Sequence, residues 1–204
     1  MRSGAAAARR CQGDLSRATA PIPVWSGRIC NVATISGTGA DHARDYWIRP
    51  AKPSDVGFLA DVVVEATRAQ GRWPADFDEA EFRRRYVSWT EAQVRGEDPH
   101  SATSVIELAG EAVGRLRIVR DGQRIELAGI QLHPRVQGRG LGTAIIDDLK
   151  SEAERTGVPL ELAVEHDNPR ARTLYERLRF VKIGEDAKEA RFRWQPDLEP
   201  PKPD

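Results

Sequence analysis

Between Arg124 and Lys150 the sequence changes its period, and that change limits the folds open to the chain. Arg124 to Leu132 reads as a strand. His133-Pro134 ends it, because Pro brings no N–H to a ladder and restrains the residue before it. Gln137-Gly138-Arg139-Gly140-Leu141-Gly142 follows, and Thr143 to Lys150 then places apolar residues at helical spacing. The first N–H groups of such a helix have no acceptor inside it, and the macrodipole makes that end positive. Glycines let the backbone bend tightly and let an anion come close. The stretch reads as a phosphate cradle or, more plainly, as a helix-start turn.

Two phosphate loops are excluded by their own patterns. The dinucleotide fingerprint Gly-x-Gly-x-x-Gly would need a glycine where Ile145 stands, and the triphosphate loop needs a Gly-Lys-Ser/Thr ending that is absent. What remains, Gln137-x-x-Gly140-x-Gly142 between a strand and a helix, resembles motif A of the GNAT superfamily of N-acetyltransferases. A second segment strengthens the resemblance. Val158 to Val164 reads as a buried strand, and Asn168-Pro169-Arg170-Ala171-Arg172-Thr173-Leu174-Tyr175 follows it. This is similar to the GNAT segment in which an Asn opens a helix and a Tyr lies two turns on. One departure is visible: many members have Leu-Gly-Phe where this chain has Leu178-Arg179-Phe180. Gly suits a left-handed helix cap and Arg does not, so that helix end is left unsettled.

The resemblance implies an α/β fold of the acyl-CoA N-acyltransferase type, with a mixed sheet of six to seven strands and about four helices. It implies acetyl-CoA as co-substrate, with no metal. Its pyrophosphate would lie on the amides from Gln137 and Gly138 through Arg139, Gly140, Leu141 and Gly142 to Thr143. Ile130 and Gln131 would run beside pantetheine, and the Leu132 N–H would meet the thioester carbonyl. Asn168 would contact the pantetheine arm. Arg139 reads equally as a phosphate ligand or as an exposed side chain. Tyr175 is the expected general acid, or else a buried Tyr satisfied elsewhere. Glu126 is the candidate base, since some members place a catalytic Glu there; a surface strand Glu is the plainer reading. Protein-N-terminus enzymes draw a Glu from the strand before the Asn, and Ala163 stands at that position. Glu161, Glu165 and His166 lie nearby, whereas His133 reads as a loop residue.

Around this centre the chain reads as one domain, 45–195, with extensions. Asp45 to Ala51 is a strand stopped by Pro50 and Pro53. Leu59, Val62, Val63 and Ala66 mark an amphipathic helix from Val56 to Ala69. A second helix, about Asp78 to Arg95, lines up Phe82, Tyr86 and Trp89, while Arg83-Arg84-Arg85 reads as a solvated face. In the family this region walls the acceptor site, so Trp73, Phe77, Tyr86 and Trp89 read as wall or as ordinary packing. Strands at 103–108 and 112–119 precede the one at 124–132, and two short strands flank Asp186-Ala187-Lys188.

Charge argues against nucleic acid. Residues 1–40 hold five of the 31 basic residues and one of the 31 acidic ones, leaving 26 and 30 for the remainder. A mildly acidic domain lacks the clustered cations that phosphate backbones need. No apolar run approaches the length of a membrane span. Cys11 and Cys30 have neither zinc-site spacing nor a disulfide framework, so a cytoplasmic setting is expected. Residues 1–44 read as a disordered or leader-like extension, Arg-rich like a transit peptide, and 196–204 as a Pro-rich tail. The expected partners are a small-molecule amine and, at most, a second copy in a homodimer. A protein lysine and a silent acyl-CoA sensor remain the alternatives.

Overall fold

The structure, a computed structural model, describes residues 46–73 and 76–196. The expected leader 1–44, with both cysteines, and the C-terminal tail beyond Pro196 lie outside the described residues. Among the described residues seven strands form a single sheet: β1 (Tyr46–Pro50), β2 (Ser101–Leu108), β3 (Glu111–Arg120), β4 (Ile125–Leu132), β5 (Leu160–Glu165), β6 (Val181–Glu185) and β7 (Glu189–Trp194). Their order across the sheet is β1-β2-β3-β4-β5-β7-β6, antiparallel except for β4 and β5. That parallel pair needs a crossover, which is supplied by α3 (Leu141–Thr156). The other helices are α1 (Val56–Ala69), α2 (Glu79–Val94) and α4 (Pro169–Arg177).

Period dictates the faces. Ile118, Leu127 and Leu162 alternate onto one side of the sheet and pack with Ile145, Ile146 and Leu149 of α3 and with Tyr175 and Phe180. Burial of each such aliphatic side chain is worth roughly 2 kcal/mol. The buried stripe of α1, including Leu59, Val62 and Ala66, lies outside that cluster, and α1 contacts β3 and β4 from the other face. The spacing of those residues gives the bounds of α1 as observed. Asp78 caps α2 by accepting from the Glu81 N–H at 2.8 Å.

The parallel ladder is short. Only Ile125–Leu127 pair with Leu160–Leu162, although β4 runs on to Leu132 and β5 to Glu165. From Ala128 and Ala163 onward the two strands part. A bulge accompanies the parting: Arg117 faces Gly129 and Ile118 faces Leu127, leaving Ala128 without a partner on β3. An extra residue of this kind bends its strand, so β4 leans away from β5 toward β3.

The end of α4 resolves the Leu178-Arg179-Phe180 question. Phe180 N–H donates to the Tyr175 carbonyl at 3.0 Å and Arg179 N–H to the Glu176 carbonyl at 2.9 Å. This pair of bonds is the Schellman cap, normally built on a left-handed Gly. Arg179 occupies that position at φ 63°. The accompanying apolar contact is present too, with the Tyr175 and Phe180 rings edge-to-face at 5.6 Å. Left-handed backbone costs a non-glycine residue about 1 kcal/mol or more. Arg179→Gly is therefore expected to raise unfolding free energy by about 1 kcal/mol in urea melts; an unchanged midpoint would show the strain to be absent.

Candidate active site

A cleft of about 1690 Å³ opens where β4 and β5 part. That exceeds the few hundred to 1,000 Å³ of an ordinary small-ligand pocket, leaving room for two molecules. Ile130, Gln131, Leu132, Gln137, Gly138, Gly140, Leu141, Gly142, Thr143, Asn168, Tyr175 and Glu126 all border it. Of the residues expected to hold the cofactor, Arg139 alone does not; it is exposed.

The glycine turn is shaped by φ. Gly138 and Gly140 sit at φ 74° and 83°. At Gly138 an added Cβ would meet nothing within 4 Å, so the requirement there is backbone conformation, not space. Gly140 is the N-cap of α3 and offers no side chain to the first N–H groups. The first intrahelical bond at this end is Ala144 N–H to the Gly140 carbonyl at 2.9 Å. The amides just before Ala144 therefore front the cleft at the positive end of a 16-residue helix. Gln137 locks the turn to the strand, its Nε2 donating to the Leu132 carbonyl at 2.7 Å.

On β4 the main-chain groups sort themselves by side. His133 N–H donates to the Val113 carbonyl at 2.8 Å, toward β3. Successive N–H groups of a strand point to opposite edges, so the Leu132 N–H, and with it that of Ile130, faces the parted edge. Gln131 turns its main chain to β3, and its side-chain Oε1 accepts from Arg115 Nη1 at 2.8 Å.

Across the cleft, Asn168 caps α4 by accepting from the Ala171 N–H at 3.1 Å. Two turns on, Tyr175 is 8% exposed, and no described residue hydrogen-bonds its hydroxyl. Burial pushes its pKa up to about 12, so the phenol holds its proton throughout the physiological range.

The carboxylates divide. Glu161 pairs with Arg193, at 2.6 Å, and Glu165 pairs with Arg72. Glu126 borders the cleft with Arg124 Nη2 3.3 Å away. Glu189, which the sequence reading passed over, also borders it, and burial, then the Asp186 charge, raise its pKa above the ordinary glutamate value. Only the β5–β7 register, which sets Glu189 opposite Glu165, could have pointed to it. His166 Nε2 is engaged by the Asp186 carbonyl at 2.8 Å. His133 is a loop pin: its Nδ1 accepts from the Arg135 N–H at 3.2 Å and its Nε2 meets Glu65 at 2.8 Å.

The far wall is aromatic. Trp73 stacks on Phe77 at 3.8 Å, and the ring contacts continue through Phe82 and Tyr86 to Trp89. Phe77, Phe82, Tyr86 and Trp89 border the cleft, and Trp73 backs them. Of the three consecutive arginines, Arg83 pairs with Asp61 and Arg85 reaches the cleft.

The sequence model of the Acetyltransferase (GNAT) family matches residues 64–180. The chain belongs to the GNAT family. A curated relative, acetyltransferase SG1711 of Sodalis glossinidius, is 35% identical over 77 residues, 37% of this chain. The match spans 54% of that relative's length. Solved GNAT-type structures share the fold. The PaiA N-acetyltransferase of Thermoplasma acidophilum, determined with coenzyme A, superposes with a TM-score of 0.62 at 16% identity, covering 72% of this chain and 97% of that one. An acetyltransferase of Thermus thermophilus gives 0.56 at 20% identity over 73% and 96%. The SpeG spermidine/spermine N-acetyltransferase of Vibrio cholerae gives 0.52 at 17% identity over 74% and 93%. The seven-stranded mixed sheet is thus the GNAT fold. Among the described residues no cluster suited to a metal ion occurs, and no helix is long and apolar enough to cross a membrane.

Proposed function

We propose that this GNAT protein transfers an acetyl group from acetyl-CoA to a primary amine of a small molecule, by direct attack within a ternary complex. The observation that carries the reading is the meeting of two open features, the parted β4 edge and the amide-lined start of α3, in one cleft large enough for both reactants. Acetyl-CoA supplies the activated acyl group and a thiol leaving group. Its diphosphate suits the amides from Gly138 to Thr143, since a helix start with unpaired N–H groups favours negative charge.

The protein's own contributions follow from placement. The Leu132 N–H, on the parted edge, would donate to the carbonyl oxygen as it gains charge during attack, and one such donor is worth roughly 3 kcal/mol. A nitrogen–carbon bond forms, the carbon–sulfur bond breaks, and a proton leaves nitrogen and ends on sulfur. Tyr175 donates to the sulfur. With its pKa at about 12, it acts chiefly by hydrogen-bonding charge as that charge builds, because full ionisation of the phenol is uphill. Glu126 takes up the amine proton through water, with Glu189 the second carboxylate able to do so.

The test is release of coenzyme A from acetyl-CoA in the presence of pooled amines. Turnover supports the reading. Binding without release would turn it into that of an acyl-CoA sensor. Glu126→Gln is expected to lower kcat by about 100-fold with acetyl-CoA affinity unchanged. Full activity in that variant together with loss in Glu189→Gln would pass the base role to Glu189.

A further inference from the structure

Arg115 is 2% exposed, yet no carboxylate pairs with it among the described residues. Buried charges are normally paired, because an isolated one gives up its hydration with nothing in return. Of the five donors of its guanidinium, one meets an acceptor among the described residues, Gln131 Oε1 at 2.8 Å. Its Nε is buried with no partner among the described residues. The edge formed by Nε and Nη2 is the one that meets a carboxylate with two parallel bonds, and it has no acceptor among the described residues. Partial compensation comes from the rings of Tyr86 and Trp89, whose centroids lie 5.7 and 5.4 Å from Cζ.

The next residue on the same face adds a second cation. Among the described residues Arg117 bonds only neutral oxygens, Ser101 Oγ at 2.9 Å and Gln93 Oε1 at 3.2 Å. Burial, then the neighbouring Arg115 charge, lower its pKa. Two guanidiniums with no carboxylate partner among the described residues thus border the cleft. Room for the first is made by Gly129, where a Cβ would stand 2.9 Å from Arg115 Nη1. Position fixes the use. The guanidinium is held over Gln131, the neighbour of Leu132, whose N–H faces the parted edge.

We infer that Arg115, seconded by Arg117, is a carboxylate subsite, so that the acceptor is a small zwitterion of amino-acid type with its amine and carboxylate a few bonds apart. Polycations, which would meet the like charge of two arginines, are disfavoured. The inference rests on the acetyl-transfer reading for where the amine reacts, and stands on Arg115 for what binds beside it.

The experiment compares free L-amino acids with their carboxyl amides, and with spermidine, as acceptors for coenzyme A release. The free acids are expected to exceed their amides by about 100-fold in kcat/KM, the scale set by leaving a buried charge unpaired. Arg115→Gln should erase that ratio. Because that variant risks misfolding, Gln131→Glu is the second arm: it gives Arg115 a carboxylate in place. It should raise Tm by about 5 °C and still collapse the acid-to-amide ratio, an effect that a merely structural arginine would not produce. Amides or spermidine used as well as the acids, with both variants indifferent, would overturn the inference and leave acetyl transfer standing. Should no acceptor release coenzyme A, the transfer reading fails instead. A thermal shift by the amino-acid pool, lost in Gln131→Glu, would then keep the subsite, and no such shift would remove it.

Discussion

Gly142→Asp is expected to leave the fold intact and to lower acetyl-CoA affinity by at least about 100-fold. The choice of glycine matters. Gly138 and Gly140 have positive φ, so any side chain there strains the backbone and confounds a binding defect with a folding one. Gly142 is the second residue of α3, and a Cβ on it would meet Leu132 Cδ1 at 3.6 Å, an ordinary contact. An Asp at a helix start interacts favourably with the dipole, by roughly 0.3–1 kcal/mol, and replaces a poor helix former. Stability should hold or rise slightly. A diphosphate brought to the same amides meets a carboxylate instead, and like-charge juxtaposition costs several kcal/mol. Calorimetric titration and a thermal melt on one sample separate the two effects. Wild-type affinity at an unchanged Tm would take the cradle out of the mechanism.

That contrast among glycines shows what a sequence can carry. The order of strand, turn and helix was legible because each element is local: Pro134 stops β4, the glycines allow the turn, and apolar spacing continues α3. The expected helix start at Thr143 lies two residues inside the observed one at Leu141, because Leu141 is itself a core residue that the glycine run disguises. The parting of β4 from β5 was not legible. It depends on one unpaired residue, Ala128, whose type does not mark it as a bulge. Arg115 was hidden for another reason. Alternation along β3 puts Arg115 and Arg117 on one face, as it would for a solvent-facing pair, and only the packing of α2 over that face turns a surface pattern into a buried one. Arg179 shows the reverse. Its residue type argued against a left-handed cap, and the bonds to Tyr175 and Glu176 together with the Tyr175–Phe180 contact outweigh about 1 kcal/mol of backbone cost.

Tyr175→Phe is expected to lower kcat by about 100-fold while acetyl-CoA affinity and neutral-pH stability stay near wild type. The ring's packing against Phe180 survives the change, and the hydroxyl loses no protein partner, since none is present among the described residues. A drop in affinity matching the drop in kcat would make Tyr175 a packing residue. An independent check comes from alkali. Burial holds the folded-state pKa at about 12, against about 10 in an unfolded chain. Below pH 10 both states keep the proton and the group contributes nothing to the pH dependence. Between about 10 and 12 the unfolded chain ionises first, so stability falls as pH rises, by about 3 kcal/mol in all. The Phe variant lacks that component, and its urea midpoint should decline less steeply than the wild type's across this window. Parallel declines would mean that the phenol is not buried in solution, and a phenol open to water could not be reserved for the departing sulfur.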